Sequence, residues 1–347
     1  MTQITRLVLI AGVLCAVASP ASAQQDPQWT RDLEAQVEAG AEALAQSLAA
    51  QFGQADRDRA RAARDRARAA RDRERSADRG PEYTEAFTRT VKLGQKGTVD
   101  LTTIAGDVTV TAGGGDDVKI DAVKRVRGGN PNDARARLQA FEVQVDQRSG
   151  LLEIRTESRG RSSFAAIDYR LTVPSGTSLT LRTVSGDVTI TNVKGDISAN
   201  SVSGDVTLRG SRAHDVDLQT VSGTLHVDAP DTDRVRLQSV SGDIEYTGKL
   251  SRNGRYDLQT HSGDIRLHAP DTAGFDLEAS TFSGDISSEY PVTLRGAAGN
   301  SGGGVSFERG QLLVNSGPGH SIRGSFGDAS AVLTLRTFSG SIAITKK

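Results

Sequence analysis

Apolar and polar residues alternate along the second half of the chain, and the alternation restarts at a recurring marker. Val188-Thr189-Ile190 and Val206-Thr207-Leu208 carry the period of two that a half-buried strand requires. The marker is Ser-Gly, at Ser185-Gly186, Ser203-Gly204, Ser222-Gly223, Ser241-Gly242, Ser262-Gly263, Ser283-Gly284 and Ser339-Gly340. The first six copies stand 18, 19, 19, 21 and 21 residues apart. Two residues before each Ser comes Thr183, Ser201, Thr220, Ser239, Thr260, Thr281 or Thr337. Just before it comes Val184, Val202, Val221, Val240, His261, Phe282 or Phe338. Two residues after it Asp dominates (Asp187, Asp205, Asp243, Asp264, Asp285), with Thr224 and Ser341 in the other copies. Three residues after it the position is always aliphatic: Val188, Val206, Leu225, Ile244, Ile265, Ile286 and Ile342.

Gly-Asp between two alternating runs reads as a corner, where Gly can adopt positive φ. A unit of about 20 residues cannot bury its apolar face alone, but stacked units can. Leu181, Leu218, Leu237, Leu258 and Leu335 then form one ladder, and the aliphatic position after Asp another. The predicted fold class is all-β: a β-solenoid or closely related stack of β-strand repeats. Upstream, Ile104-Ala105-Gly106-Asp107-Val108 is a diverged copy within Val99–Val110, and Gly113-Gly114-Gly115-Asp116-Asp117 is a turn. Asn130-Pro131 opens a short polar stretch, Asp133–Phe141, that reads as one helix. Strands follow near Glu142–Val145 and Leu151–Thr156, and Gly299–Gly304 is a glycine-rich insertion before the last copy.

The N-terminal quarter has other patterns. Arg6, the apolar run Leu7–Ala18 and Ala21-Ser22-Ala23 read as a Sec-type signal peptide over residues 1–23, cut before Gln24, with an uncleaved membrane anchor as the other reading. Leu33, Val37, Leu44, Leu48 and Phe52 lie on one helical stripe. Asp58-Arg59-Ala60-Arg61-Ala62-Ala63-Arg64 then recurs unchanged as Asp65–Arg71, and Gly80-Pro81 ends the register. Residues 24–80 read as a helical or coiled-coil stalk; contact with an anionic surface and a disordered linker are the other readings. The stripe predicts self-association through residues 31–78. Residues 81–347 form the β-repeat domain.

The run Leu171-Thr172-Val173-Pro174-Ser175-Gly176-Thr177, followed by Leu181-Arg182-Thr183-Val184-Ser185-Gly186-Asp187-Val188, resembles the toast-rack family. That family is a bacterial β-strand-repeat domain of unknown function, often labelled putative adhesin. The resemblance covers roughly residues 84–346. It implies a stacked β-repeat at the cell envelope, with relatives linked to envelope stress or adhesion, and it carries over no catalytic residues.

Composition narrows the chemistry open to the chain. Aromatics are 4% of the chain, so aliphatic ladders must supply the core. The net charge of −1 points to no polyanionic partner, and the arginines of the heptad have no aromatic residues among them, which disfavours nucleic acid. Cys15, the one cysteine, lies in the leader, so the mature chain has neither disulfide nor thiol nucleophile. No apolar run reaches the roughly 18 residues of a spanning helix. The stacked Asp187, Asp205, Asp243, Asp264 and Asp285 could align oxygens for Ca²⁺, but corner hydrogen bonding explains them better. The Ser and Thr columns read as hydrogen-bonded ladders. His214, His226, His261, His268 and His320 show no zinc-site spacing, and His261 reads as a surface substitution. The repeat-breaking Arg255, Tyr256, Glu289 and Tyr290 form no recognisable catalytic set. No catalytic, cofactor-binding or metal site is therefore assigned. The expected product is an exported interaction or structural module of the periplasm or cell surface, with an envelope protein, glycan or anionic surface as partner. A carbohydrate-active β-solenoid enzyme is the alternative.

Overall fold

The structure, a computed structural model, describes residues 81–127, 130–158, 165–270, 274–295, 305–308, 311–314 and 320–346. The signal peptide expected over residues 1–23, the stalk expected over residues 24–80 and the glycine-rich insertion expected at Gly299–Gly304 lie outside these residues. The first strands are β1 (Glu82–Lys92), β2 (Thr98–Thr102), β3 (Val108–Gly113) and β4 (Asp117–Arg127). Helix α1 (Pro131–Gln139) follows, then β5 (Phe141–Arg148), β6 (Leu151–Ser158), β7 (Ala165–Pro174), β8 (Ser178–Ser185) and β9 (Val188–Thr191). The middle holds β10 (Ile197–Ser203), β11 (Val206–Arg209), β12 (Asp215–Ser222), β13 (Leu225–Ser241), β14 (Ile244–Ser262) and β15 (Ile265–Ala269). The chain continues through β16 (Phe275–Ser283), β17 (Ile286–Ser288), β18 (Thr293–Leu294), β19 (Val305–Glu308) and β20 (Gln311–Val314). It ends in β21 (His320–Phe326), β22 (Ala331–Ser339) and β23 (Ile342–Lys346).

Each Ser-Gly marker joins a strand of one ladder to a strand of a second. The first ladder runs β6, β2, β8, β10, β12, the later halves of β13 and β14, β22 and β16, all parallel. The second runs β7, β3, β9, β11, the early parts of β13 and β14, β15, β23 and β17, again parallel. One strand of each ladder plus its corner makes a rung. Eight rungs stack, with corners at Gly106, Gly186, Gly204, Gly223, Gly242, Gly263, Gly340 and Gly284 in that spatial order. The stack departs from chain order at its far end. The last copy, β22–β23, slots between the rungs of Gly263 and Gly284, so β22 pairs with both β14 and β16.

Register aligns equivalent residues. Leu101, Leu181, Ala199, Leu218, Leu237, Leu258, Leu335 and Ala279 form one buried column, which contains every member of the expected Leu ladder. Val108, Val188, Val206, Leu225, Ile244, Ile265, Ile342 and Ile286 form the facing one. Both columns belong to one core. The near-continuous aliphatic filling is what a parallel sheet buried on its inner face requires.

Four buried tyrosines supplement the aliphatics. Tyr256 Oη donates to Thr232 O at 2.7 Å and accepts the Ser251 N–H at 2.8 Å. Tyr290 Oη donates to Ala269 O at 2.7 Å, and Tyr246 Oη to Ala229 O at 3.3 Å. Tyr169 Oη lies 2.8 Å from Thr156 Oγ1. Burial pushes the Tyr169 hydroxyl up to about 12, and raises Tyr246 and Tyr256 as well. All three therefore stay protonated and able to donate at ordinary pH. Tyr256 and Tyr290 break the repeat as core residues.

Both ends of the stack are closed by antiparallel strands. β5 pairs with β6, and β1 with β4, which pairs with β7. β21 pairs with β16, and β20 with β17. This covers the open edges that a parallel stack would otherwise present. Helix α1 packs on β1, β4 and β5 through Ala134 and Leu138. Asn130 is its N-cap, with the side chain accepting the Asn132 N–H at 3.0 Å. The helix ends at Gln139, and Phe141, expected at its end, instead begins β5.

Candidate functional site: the corner edge

The corner follows from the sequence position by position. All eight corner glycines have φ between +115° and +157°, the range that favours glycine. Their packing is as restrictive as their backbone. A Cβ on Gly204 would sit 2.2 Å from Gly186 O, and one on Gly223 would sit 2.1 Å from Gly204 O. The Gly N–H donates to the Ser carbonyl one rung on, as in Gly186 N to Ser203 O at 3.0 Å and Gly204 N to Ser222 O at 3.0 Å.

The Asp that follows ties rungs together. Asp187 Oδ1 accepts the Asp205 N–H at 2.9 Å, and Asp205 Oδ1 accepts the Thr224 N–H at 2.7 Å. Asp243 Oδ1 accepts the Asp264 N–H at 2.9 Å, and Asp264 Oδ1 the Ser341 N–H at 2.9 Å. The partner is the equivalent residue of the next rung, rather than the Asp's own turn. Among the described residues no group of three or more His, Cys, Asp or Glu could hold a metal ion. Because Asn Oδ1 accepts the same N–H, Asp205→Asn with Asp243→Asn should change stability by less than about 1 kcal/mol. Thermal unfolding with and without Ca²⁺ checks this. A Ca²⁺-dependent rise in wild type that the double variant lacks would mark the column as a cation site.

The Thr column is divided. Thr260, Thr337 and Thr281 donate to Gly242, Gly263 and Gly340 carbonyls at 3.0, 3.1 and 2.9 Å. The hydroxyls of Thr183, Ser201, Thr220 and Ser239 are buried without a partner, so the expected hydrogen-bonded ladder covers three of the seven Ser-Gly copies.

At each corner the alternation breaks. Thr183 faces in, while Val184 and Ser185 both face out. The stack therefore carries an exposed apolar column: Ile104, Val184, Val202, Val221, Val240, His261, Phe338 and Phe282. Its aliphatic and Phe members are 38–50% exposed. At about 4.8 Å per rung it is roughly 34 Å long. Its far end is aromatic: His261 stacks on Phe338 at 4.9 Å and 9°, and Phe338 on Phe282 at 4.8 Å and 1°. His261 is thus the surface substitution that the sequence suggested, and its ring continues the column. The exposed Ser185, Ser203, Ser222, Ser241, Ser262, Ser339 and Ser283 run beside it, and the Asp column beyond. The signal for this edge was in the pattern, because an apolar residue recurs where parity with Leu181 and Thr183 points outward.

The remaining candidates are dispersed. His214 Nδ1 lies 2.7 Å from Asp233 Oδ2, and His226 Nδ1 2.9 Å from Glu245 Oε2. His268 contacts Thr345 and lies 3.8 Å from Glu245. His320 begins β21. Glu289 Oε2 accepts the Lys346 N–H at 2.8 Å, and Arg255 lines a surface cleft.

The profile of the Toastrack DUF4097 family matches residues 92–306, well over half of the chain. The chain belongs to the Toastrack family. The Toastrack match ends within β19, and strand register places β22 and β23, beyond it, in the same stack. Three solved structures are similar to this Toastrack chain at low identity. One is a putative cell adhesion protein from Clostridium sporogenes, with 12% identity and a TM-score of 0.35, covering 76% of this chain and 100% of that one. Another is a putative adhesin from Bacteroides fragilis, with 14% identity and a TM-score of 0.39, covering 75% and 97%. The third is a putative adhesin from Parabacteroides distasonis, with 11% identity and a TM-score of 0.29, covering 77% and 98%. No curated protein matches the Toastrack chain.

Proposed function

We propose that this Toastrack chain is a non-enzymatic, adhesin-like module exported to the bacterial envelope, where it holds a protein partner along the corner edge. The observation that carries the reading is the exposed apolar column from Ile104 to Phe282. A contiguous apolar strip on an otherwise alternating surface marks an interaction site. The Ser and Asp columns beside it supply the polar rim that such interfaces have. The Arg6, Leu7–Ala18 and Ala21-Ser22-Ala23 pattern supports export, and among the described residues no helix is long and apolar enough to cross a membrane.

In-cell photocrosslinking tests it. A photoreactive amino acid at Val202 should give a discrete adduct with an envelope protein, and the same group at outward-facing Arg182 should not. Val202→Asp with Val221→Asp, probed from Val240, should cut that adduct at least tenfold. The melting temperature should stay near wild type, because both side chains are already exposed. Equal adducts from Val202 and Arg182, or none from either, would refute the assigned edge.

A further inference from the structure

The stack has a second feature away from the corner, where the return segments of three rungs meet. Ser222 and Ser241 are 19 residues apart and Ser241 and Ser262 are 21 apart, so β14 carries two extra residues. They are accommodated at Ser251–Arg255. Asn253 takes φ +61°, a left-handed conformation that Asn tolerates better than most residues, and its N–H donates to Ser330 O at 2.8 Å. Gly254 is confined, since a Cβ there would lie 2.8 Å from both Ser251 O and the Tyr256 ring. Tyr256 Oη accepts the Ser251 N–H and donates to Thr232 O, which pins the insertion to the core.

The insertion walls a cleft of about 390 Å³ lined by His214, Asp233, Arg234, Arg252, Asn253 and Arg255. Its carboxylate is already engaged, because Asp233 pairs with His214 at 2.7 Å. Arg234 pairs with Asp215 at 3.0 Å. Among the described residues neither Arg252 nor Arg255 has a carboxylate within ion-pair distance. The acid that senses Arg252 is exposed Asp328, held below its ordinary range first by Ser330 and more weakly by Arg252. The lining thus offers guanidinium N–H groups in excess of acceptors, with an Asn amide beside them.

We propose that this cleft binds a phosphate group carried on a small polar molecule. Guanidinium forks match phosphate oxygens bidentately, and the volume leaves room for a sugar or headgroup behind the phosphate. The site is independent of the corner edge, and its ligand could be a soluble phosphorylated sugar or an anionic lipid headgroup.

Calorimetry of the full chain with glucose 6-phosphate, against glucose at equal ionic strength, is the first arm. Sedimentation with phosphatidylglycerol vesicles, against phosphatidylcholine vesicles, is the second. Glucose 6-phosphate should bind and glucose should not. Arg252→Gln with Arg255→Gln should weaken binding at least tenfold, and Arg336→Gln, an exposed arginine paired with Glu278 elsewhere on the stack, should leave it unchanged. Added salt should weaken it as well. Vesicle binding lost in the double variant identifies a lipid headgroup, and binding of the sugar phosphate alone identifies a soluble ligand. Either supports the site. No binding of any phosphate probe at low salt, or equal binding by wild type and a folded double variant, would overturn it.

Discussion

Gly204→Val lowers the stability of the stack by about 2–6 kcal/mol, the sum of about 1–3 for a β-branched residue forced to positive φ and about 1–3 for overpacking. The substituted residue would need φ +135° with its Cβ 2.2 Å from Gly186 O. That oxygen belongs to backbone held between two rungs, so it cannot move aside as a flexible side chain would. Thermal unfolding should show a midpoint fall of roughly 4–20 °C. Hydrogen exchange should rise first at the Val188 and Val206 amides, which bond across the adjacent corners to Asp205 O and Thr224 O. Gly115→Ala is the matched control, because nothing lies within 4 Å of its added Cβ. A midpoint for Gly204→Val equal to that of the control would show that the corner is built differently.

Leu258→Ala should cost about 2–5 kcal/mol. Leu258 is fully buried in the column between Leu237 and Leu335. Two leucines flank the deletion along the stack, and both are fixed by parallel pairing, so the gap cannot collapse. Val221→Ala removes apolar atoms from the exposed column instead, and should change stability by no more than about 0.5 kcal/mol. Denaturant unfolding of the two variants measures the difference. Similar losses for both would mean that the Val221 column is buried by something in the folded protein.

Most of the architecture was legible in the sequence because each rung repeats the same local instructions. Gly at the corner, Leu181 and its equivalents inside, and Val188 and its equivalents on the facing ladder are each dictated by one residue's conformational or burial preference. The order of the rungs was not legible for the same reason. In the same Ser-Gly register Leu258 could pair with Ala279 as well as with Leu335, and no local preference fixes which strand lies beside β14. The longer interval between Ser283 and Ser339 showed that something intervenes, but not that the chain turns back to fill a slot between earlier rungs. Tyr256 and Tyr290 stood out in the pattern as breaks in the repeat, but nothing local showed that they are core residues whose hydroxyls reach the backbone carbonyls of Thr232 and Ala269. The corner edge was present in the alternation at Val184, Val202, Val221 and Val240. The Asp column hid its partner, since a bond to the next rung leaves no trace in local sequence. The cleft was visible only as two surplus residues, whose direction depends on Asn253 and Tyr256 together.

The slot taken by β22 and β23 has a consequence for the order in which the protein can be completed. Residues 331–346 leave the ribosome after every other described strand, yet they form the seventh of eight rungs. Until they arrive, the edges of β14 and β15 stand open on one side, and those of β16 and β17 on the other. Both edges are parallel strands with the same Ser-Gly register, so they are mutually compatible in every column. Vectorial synthesis therefore presents this chain with a shorter, seven-rung closure before the native one becomes available. The contacts that separate the two closures are among the most distant in sequence, and such pairings form slowly.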